Sequence, residues 1–283
     1  MRRLALALLL VVFATQPVRA QPTTITVGAE RPATVVLPDD SASLHPLLLV
    51  LHGYSSSGPQ IDAYTGLRNE AAKRGVVLAF PNGTQEASGF RFWNATDACC
   101  NLHGSTVDDV SYLLALIEEI GSEIPIDRRR VYVFGHSNGA FMAYRLGCSS
   151  AKTFAAIAGL AGGTYADPNQ CAPNARLSVL HMHGTSDEVI PINGTFLLAE
   201  VPAALRSVRT WAAYNNCNPK SLQRTGALDI ESKLPGKETV AYGFRCPKGV
   251  DVDFWKIVGA KHSPSPNANF GGRLFTWLLR HHR

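Results

Sequence analysis

One stretch of the chain, Gly135-His136-Ser137-Asn138-Gly139, matches the pattern G-x-S-x-G. The apolar run Val131 to Phe134 before it predicts a strand, and Asn138 to Leu146 after it predict a helix that ends at Gly147. Small residues permit a sharp turn between strand and helix, and such a turn exposes the Ser137 hydroxyl above the carboxyl edge of a sheet. The stretch therefore predicts a nucleophilic serine on an α/β sheet, with an ordinary glycine-rich turn as the alternative.

Apolar runs of strand length alternate with amphipathic segments along the rest of the chain. This alternation predicts a mostly parallel sheet covered by helices on both faces, which is a three-layer α/β sandwich. The predicted strands are Ile25 to Val27, Ala33 to Leu37, Pro46 to Leu51, Val76 to Phe80, Val131 to Phe134, Phe154 to Leu160, Leu177 to His183, Val240 to Phe244 and Val252 to Val258. The predicted helices are Gly66 to Arg74, one that begins at a capping box of Thr106 and Asp109, Asn138 to Leu146, Pro202 to Asn215 and Asn269 to Leu279.

The composition is that of a folded protein with an export signal. Of the 283 residues, 46% are apolar and 17% are charged, which excludes a disordered chain. Residues 1–20 combine two early arginines, an apolar run and a small-residue end at Ala20, so they predict a signal peptide. We expect residues 21–283 to form a single catalytic domain that is secreted or periplasmic, because one core can grow to roughly 250–300 residues. No later apolar run reaches the ~18 residues that cross a bilayer, so we expect no membrane partner.

The charge of the chain argues against a nucleic-acid partner. Loss of Arg2, Arg3 and Arg19 with the leader lowers the net charge from +5 to +2. A phosphate-binding footprint needs several clustered basic residues together with aromatic platforms. The single basic run, Arg128 to Arg130, is therefore interpreted as a solvated turn before a strand.

A serine nucleophile needs a general base and a carboxylate that orients the base. In a fold of this kind the chain order is serine, acid, histidine. Asp187 directly follows the strand predicted at Leu177 to His183, which places its carboxylate at the same edge of the sheet as Ser137. Asp187 is therefore the predicted acid, with Glu188 as its rival and a loop N-cap as its structural alternative.

The chain order also selects the histidine. His262 lies in a loop just past the strand predicted at Val252 to Val258, from which its imidazole can reach Ser137. His281 and His282 end the chain after a helix, and we expect them to be solvated. His262 is therefore the predicted base.

Acyl transfer also requires N–H donors for the developing oxyanion. The backbone N–H of Asn138, the residue after the nucleophile, should supply one donor. The second should come from the loop His52-Gly53-Tyr54, and we assign it to the Tyr54 N–H. His52 precedes the acid in the chain, so we interpret it as a structural histidine that holds this loop.

Several further motifs together resemble one family. The sequence is similar to the secreted poly(3-hydroxybutyrate) depolymerase-like and feruloyl esterase-like branch of the α/β-hydrolases, over nearly all of residues 21–283. The motifs that carry the resemblance are Leu51-His52-Gly53, Phe80-Pro81-Asn82-Gly83-Thr84, Trp93-Asn94, Cys99-Cys100, Val107-Asp108-Asp109-Val110, Gly135-His136-Ser137-Asn138-Gly139-Ala140 and His183-Gly184-Thr185-Ser186-Asp187.

The resemblance implies hydrolysis of carboxylic esters with no metal or cofactor, by a triad that falls on Ser137, Asp187 and His262. Two positions depart from the family pattern. Ser263-Pro264-Ser265-Pro266 stands where relatives often carry an aromatic residue, and Tyr54 stands where many carry cysteine. Because both positions should lie near the substrate, the substrate of the family is not carried over.

Four functions are open to a chain with these motifs. We expect a serine esterase for small or oligomeric esters, either feruloyl and other aryl esters or short-chain hydroxyacyl esters. A polyester depolymerase is the first alternative, but it often carries a surface-binding module, and we expect none after Arg283. A peptidase is disfavoured because no propeller or long lid domain is predicted. A catalytically inactive binding protein would be expected to have lost a triad member.

One aromatic side chain is a candidate for the substrate pocket. Trp93 lies in a loop of about 25 residues, and loops of that length in compact domains are usually functional. We expect it to line the acyl pocket, with a core or loop-anchor role as the alternative.

The six cysteines are typical of an exported chain that forms disulfides. A zinc site is the alternative, but it would need a C-x(2–4)-C pair or histidines at ligand spacing. We expect one bond between Cys148, beside the end of the serine-bearing helix, and Cys171, in the loop before the strand that leads to Asp187.

A second bond is expected between Cys217 and Cys246, within the segment that separates the predicted acid and base. The adjacent Cys99 and Cys100 remain. They either form a vicinal disulfide or stay reduced, because the geometry of a disulfide disfavours adjacent partners.

Overall fold

A ten-stranded sheet runs through the computed structural model, which describes residues 23–38, 43–194 and 200–283. The predicted signal peptide, residues 1–20, lies outside the described residues. The strands are β1 (Thr24–Val27), β2 (Ala33–Val36), β3 (His45–Leu51), β4 (Val77–Phe80), β5 (Thr84–Gln85), β6 (Arg91–Phe92), β7 (Ile126–His136), β8 (Ala156–Leu160), β9 (Ser178–Gly184), β10 (Gln223–Leu228), β11 (Thr239–Gly243) and β12 (Val252–Ile257). The helices are α1 (Gly58–Thr65), α2 (Arg68–Lys73), α3 (Asp109–Glu123), α4 (Asn138–Ser150), α5 (Ala204–Tyr214) and α6 (Ala268–Leu278).

The strands follow the order β1-β2-β4-β3-β7-β8-β9-β12-β11-β10, and β5 and β6 form a separate small hairpin. The central strands from β4 to β12 pair in parallel, whereas the two edges are antiparallel. Parallel strands need crossover connections, and the helices supply them. The predicted mostly parallel α/β sandwich is confirmed.

The central strands are buried on both faces. All seven residues of β3 are buried, and their side chains alternate between two apolar clusters. Leu47 and Leu49 belong to the cluster that α3, α4 and α5 cover, while Leu48 and Val50 belong to the cluster under α1, α2 and α6. This alternation explains why the strand reads as a continuous apolar run, because successive side chains point to opposite faces.

Three local predictions need correction. The helix predicted at Gly66 to Arg74 is the shorter α2, because Gly66 is in the left-handed conformation (φ 59°) and ends α1, a helix that was not predicted. Gly147 lies inside α4 instead of ending it, and a Cβ there would come within 2.8 Å of the Trp211 ring. The prediction also lacked β10.

The start of α3 differs from the predicted capping box. Asp108 is the N-cap, and its Oδ1 accepts the Ser111 N–H at 3.0 Å. Asp109 is fully buried and forms an ion pair with Arg31 at 2.5 Å, while its other oxygen accepts the Asn94 N–H at 2.7 Å. Asp109 therefore ties α3 to two neighbouring loops.

Two surface predictions are also revised. Arg128 to Arg130 lie in the first half of β7, where Arg128 pairs with Glu118, so the basic run is not a turn. His281 is only 4% exposed, and its Nε2 lies 2.9 Å from Asp251 Oδ2. His281 is therefore docked against Asp251, in contrast to the prediction, whereas His282 is exposed as the sequence predicted.

All six cysteines are paired. The bonds are Cys148–Cys171, Cys217–Cys246 and the vicinal Cys99–Cys100. The first links α4 to the loop before β9, and the second links the end of α5 to the segment between β11 and β12. None of the helices in the described part of the chain is long and apolar enough to cross a membrane.

Candidate active site

Ser137 lies in the turn between β7 and α4, with φ 53° and ψ −121°. A non-glycine residue with positive φ is uncommon, and it is a mark of a strained functional turn. A Cβ on Gly135 would overlap the backbone of Gly139, and a Cβ on Gly139 would overlap the carbonyl of Leu51. Both glycines are therefore required for β3, β7 and α4 to approach so closely.

The structure brings the three predicted side chains together at the carboxyl edge of the sheet. His262 Nε2 lies 3.0 Å from Ser137 Oγ, and His262 Nδ1 lies 3.0 Å from each carboxylate oxygen of Asp187. The His262 side chain is 13% exposed and the Asp187 side chain is fully buried. Glu188, the rival acid, is exposed and takes no part in this arrangement. The geometry suits a nucleophile, a general base and an orienting carboxylate.

The loop after β9 fixes the Asp187 carboxylate. Its Oδ1 accepts the N–H groups of Val189 and Ile190 at 2.9 and 2.8 Å. Burial raises the pKa of the Asp187 carboxyl, but hydrogen bonds from His183 and His262 outweigh burial and hold that pKa well below its usual range. The Asp187 carboxylate is therefore ionised in the folded protein near neutral pH.

Three side chains hold the loop that carries His262. His136 Nε2 lies 3.0 Å from the His262 carbonyl oxygen, Tyr64 donates its hydroxyl to Pro264 O at 2.7 Å, and Glu231 accepts the Ser265 N–H at 2.8 Å. Burial, together with the nearby His262, lowers the pKa of His136 to about 4. None of these three contacts was predicted from the sequence.

The two predicted oxyanion donors belong to Asn138, which directly follows Ser137, and to Tyr54, which lines the same two cavities as Ser137. Asn138 is the first residue of α4, so its N–H has no acceptor within the helix. In the described part of the chain, no backbone carbonyl accepts the Tyr54 N–H. A cavity that contains Ser137 and Tyr54 lies beside them.

His52 has the structural role that its position in the chain predicted. Its Nδ1 lies 2.7 Å from Gly53 O, and its Nε2 accepts the Gly83 N–H at 2.9 Å. Burial lowers the pKa of His52 to about 4, so the ring is neutral at pH 7. The ring holds the loop of Tyr54 against the β4 to β5 connection.

Trp93 does not line the pocket, which corrects the sequence prediction. The side chain is fully buried, and its Nε1–H donates to His52 O at 2.9 Å. The indole packs against the His52 ring, with the ring centroids 5.0 Å apart. Trp93 is therefore a core residue that anchors its loop.

Two cavities meet at Ser137. The larger, of about 990 Å³, extends over the Cys99–Cys100 disulfide, and the smaller, of about 350 Å³, lies on the His262 side. Tyr54 borders both. The larger is also lined by Leu102, Tyr165, Val189 and Ile190, and the smaller by Ser56, Gln60, Tyr64, His136 and Ser263.

Fold and site together define an α/β-hydrolase, and comparison with known families agrees. The profile of the phospholipase/carboxylesterase family matches residues 32–225, which is more than half of the chain. The chain belongs to this family.

Curated relatives include feruloyl esterases. Feruloyl esterase B of Piromyces equi is 28% identical over 232 residues, which are 77% of this chain and 39% of that protein. The probable feruloyl esterase C of Aspergillus niger is 28% identical over 69% of this chain and 65% of its own length. A putative esterase of Nocardia uniformis, NocK, is 32% identical over 56% of this chain and 44% of its length. The chain thus spans roughly half of the length of these relatives.

Solved structures share the fold. The acetyl xylan esterase from Aspergillus awamori superposes with a TM-score of 0.61 at 15% identity, over 91% of this chain and 99% of that one. Esterase PE8 gives a TM-score of 0.57 at 16% identity, over 90% of this chain and 99% of that one. At these identities the likeness is one of architecture.

Proposed function

We propose that this chain hydrolyses carboxylic esters through an acyl-enzyme formed on Ser137, with His262 as the base and Asp187 as the orienting acid. The observation that carries the proposal is the pair of 3.0 Å contacts that His262 makes with Ser137 Oγ and with the Asp187 carboxylate. Membership of a carboxylesterase family supports it.

The reaction follows from this geometry. The Ser137 hydroxyl attacks the ester carbonyl while His262 Nε2 takes its proton, and the Asp187 carboxylate stabilises the imidazolium that forms. The N–H groups of Tyr54 and Asn138 stabilise the negative oxygen of the tetrahedral intermediate. The imidazolium then protonates the leaving alcohol, and water repeats the same steps to release the acid.

The two cavities divide the substrate between them. His262 must protonate the leaving oxygen, so the alcohol occupies the smaller cavity on the His262 side. Hydroxyl and amide side chains line this cavity, including Ser56, Gln60 and Ser263, and they suit a polar alcohol such as a sugar. The acyl group then occupies the larger cavity.

The larger cavity is lined by polar side chains such as Asp97, Arg145 and Gln170 and by an aromatic and apolar set that favours an aromatic acyl group. Tyr54 and Tyr165 offer ring surfaces, and Leu102 and Val189 are exposed apolar side chains, at 51% and 41%. Aromatic rings prefer such partly apolar, partly aromatic surroundings. We therefore infer that hydroxycinnamoyl esters are the substrate class, which agrees with the feruloyl esterases among the relatives.

We also propose that residues 1–20 direct export and that residues 21–283 act as one catalytic domain in the periplasm or outside the cell. Three disulfides support this location, because structural disulfides form and persist in oxidising compartments. The partner is then a small or oligomeric ester substrate.

The test compares methyl ferulate, p-nitrophenyl acetate and hydroxybutyrate oligomers as substrates of the purified protein. Ser137→Ala should lower kcat by about 10³- to 10⁶-fold, because the triad acts as a unit. Ser149→Ala, which alters an exposed serine of α4, is the matched control and should leave kcat unchanged. An aryl phosphonate should label Ser137 in the wild type.

The relative rates of hydrolysis of these esters distinguish the candidate functions. Faster turnover of methyl ferulate supports the hydroxycinnamoyl substrate class, whereas faster turnover of hydroxybutyrate oligomers favours a polyester depolymerase. Binding of these esters without hydrolysis would favour an inactive binding protein. Retention of more than about a tenth of the wild-type kcat in Ser137→Ala would disprove the nucleophile.

A further inference from the structure

Three buried side chains behind the carboxylate of Asp187 form a continuous hydrogen-bonded chain. The Tyr144 hydroxyl lies 2.7 Å from His181 Nδ1, and His181 Nε2 lies 3.2 Å from His183 Nδ1. His183 Nε2 in turn lies 2.8 Å from Ile190 O and 3.3 Å from Asp187 Oδ2. Tyr144, His181 and His183 are at most 1% exposed. None of these three side chains takes part in the mechanism above.

The two acceptor oxygens beside His183 determine which group donates in each hydrogen bond between these side chains. A carbonyl oxygen and a carboxylate oxygen can only accept, so His183 Nε2 carries the proton. In a neutral imidazole His183 Nδ1 is then an acceptor, which requires His181 Nε2–H to donate to it. His181 Nδ1 is consequently an acceptor as well, and the Tyr144 hydroxyl donates to it.

The two oxygens of Asp187 depend on different partners. Oδ1 accepts two backbone N–H groups of its own loop, from Val189 and Ile190, as well as facing His262. Among the described residues, Oδ2 faces two imidazoles, with His262 Nδ1 at 3.0 Å and His183 Nε2 at 3.3 Å, and the shorter contact of His183 Nε2 is the one with Ile190 O at 2.8 Å. His183 is thus the contact of Oδ2 that lies outside the His262 loop.

We propose that His183 is a positioning residue that fixes the Asp187 carboxylate toward His262, and that His181 and Tyr144 hold His183 in the donating tautomer. The inference rests on the proposed function, since it assigns Asp187 the orienting role. With the opposite tautomer, a lone pair of His183 would face two acceptor oxygens.

Kinetics of two His183 variants separate hydrogen bonding from packing. His183→Gln keeps an N–H donor near the Nε2 position, whereas His183→Leu has none. We expect kcat of His183→Leu to fall about 10- to 100-fold, because a misplaced triad loses its reactive geometry. KM should stay within about twofold, and His183→Gln should recover most of the lost kcat.

His45 supplies the matched control, because it is a buried histidine (3% exposed) that bonds to Gly75 O instead of the active site. His45→Gln and His45→Leu should leave kcat unchanged in the folded fraction. Wild-type kcat in His183→Leu, or equal kcat losses in the Leu and Gln variants of His183, would overturn the proposal.

A second measurement does not need activity or a folded Leu variant. Nitrogen-15 NMR of the wild-type protein should show His181 and His183 both protonated at Nε2 and unprotonated at Nδ1. Tyr144→Phe removes only the last donor, so the His181 Nδ1 signal should shift while the His262 signals of the resting enzyme stay in place. Protonation of His183 at Nδ1 in the wild type would contradict the inference. An inactive wild-type protein with the expected tautomers would instead refute the proposed function.

Discussion

Asn138 and Trp93 are joined by a reciprocal pair of hydrogen bonds. Asn138 Oδ1 accepts the Trp93 N–H at 2.6 Å, and Asn138 Nδ2 donates to Trp93 O at 3.0 Å. Both side chains are fully buried. Because Asn138 follows Ser137, the pair locks the loop that borders the larger cavity to the turn that bears the proposed nucleophile.

Loss of this pair should destabilise the protein. Asn138→Ala leaves the N–H and the carbonyl of Trp93 buried without partners, and each such group costs about 1–3 kcal/mol. We expect the free energy of unfolding to fall by about 2–6 kcal/mol in urea denaturation. Asn269→Ala, at an exposed position of α6, is the control and should change it by less than about 0.5 kcal/mol. Equal losses in the two variants would show that the pair contributes nothing specific.

The turn at Ser137 should tolerate no side chain at its flanking glycines. In Gly139→Ala the new methyl group would overlap the carbonyls of Leu51 and His52, so β3 and α4 must separate. We expect a loss of about 3 kcal/mol or more in the free energy of unfolding, or no folded protein. Gly226→Ala is the matched control, because a Cβ there meets nothing within 4 Å. Thermal unfolding of Gly139→Ala at the wild-type temperature would contradict this account of the turn.

The sequence was sufficient to predict Ser137, Asp187 and His262 as neighbours. Each lies just after a predicted strand, and parallel strands bring their carboxyl ends to one edge of the sheet. The position of each residue directly after a strand is therefore enough to predict that the three side chains meet. The helix α1 could also have been found, since Pro59 lies in its first turn, where its missing N–H costs nothing.

Other features depend on contacts that no local pattern contains. The hydrogen bond from Tyr64 to Pro264 joins residues 200 positions apart. The buried His281 likewise contacts Asp251, which lies in a different loop. For Trp93 the sequence shows an aromatic residue in a long loop, but packing against His52 decides that it faces the core. Tertiary packing, which periodicity does not encode, accounts for these errors.

Acid should destabilise the fold through buried neutral histidines. Burial lowers the pKa of His52 from 6.5 to about 4, so between these values the unfolded chain binds a proton that the folded chain does not. The contribution of the neutral His52 to the free energy of unfolding is complete above pH 6.5 and is lost as the pH falls to about 4. This loss amounts to about 3 kcal/mol. Urea unfolding at a series of pH values measures this slope.

The slope can be assigned to His52 by substitution. His52→Gln has no titrating group at this position, so its free energy of unfolding should depend less on pH between about 4 and 6.5 than that of the wild type. At pH 7 the free energy of unfolding of His52→Gln should be lower than that of the wild type. His103→Gln, which alters a histidine whose side chain is 65% exposed, should keep the wild-type slope. If the two variants have the same slope, His52 does not cause the acid sensitivity.

The disulfides should differ in how much they stabilise the protein. Cys148–Cys171 and Cys217–Cys246 span 23 and 29 residues, whereas Cys99–Cys100 joins neighbours. In the chain-entropy description a bond stabilises by restricting the unfolded chain, by about 3 kcal/mol for loops of this size. A bond between adjacent residues closes no loop, so its contribution by this route is negligible.

Paired substitutions test this difference directly. Cys148→Ser with Cys171→Ser should lower the free energy of unfolding by about 3 kcal/mol, because the bond between α4 and the loop before β9 is lost. Cys99→Ser with Cys100→Ser is the matched control, and its free energy of unfolding should stay close to that of the wild type. Peptide mapping without reduction would verify which bonds remain in each variant. Similar losses in both double variants would show that loop closure is not what these bonds contribute.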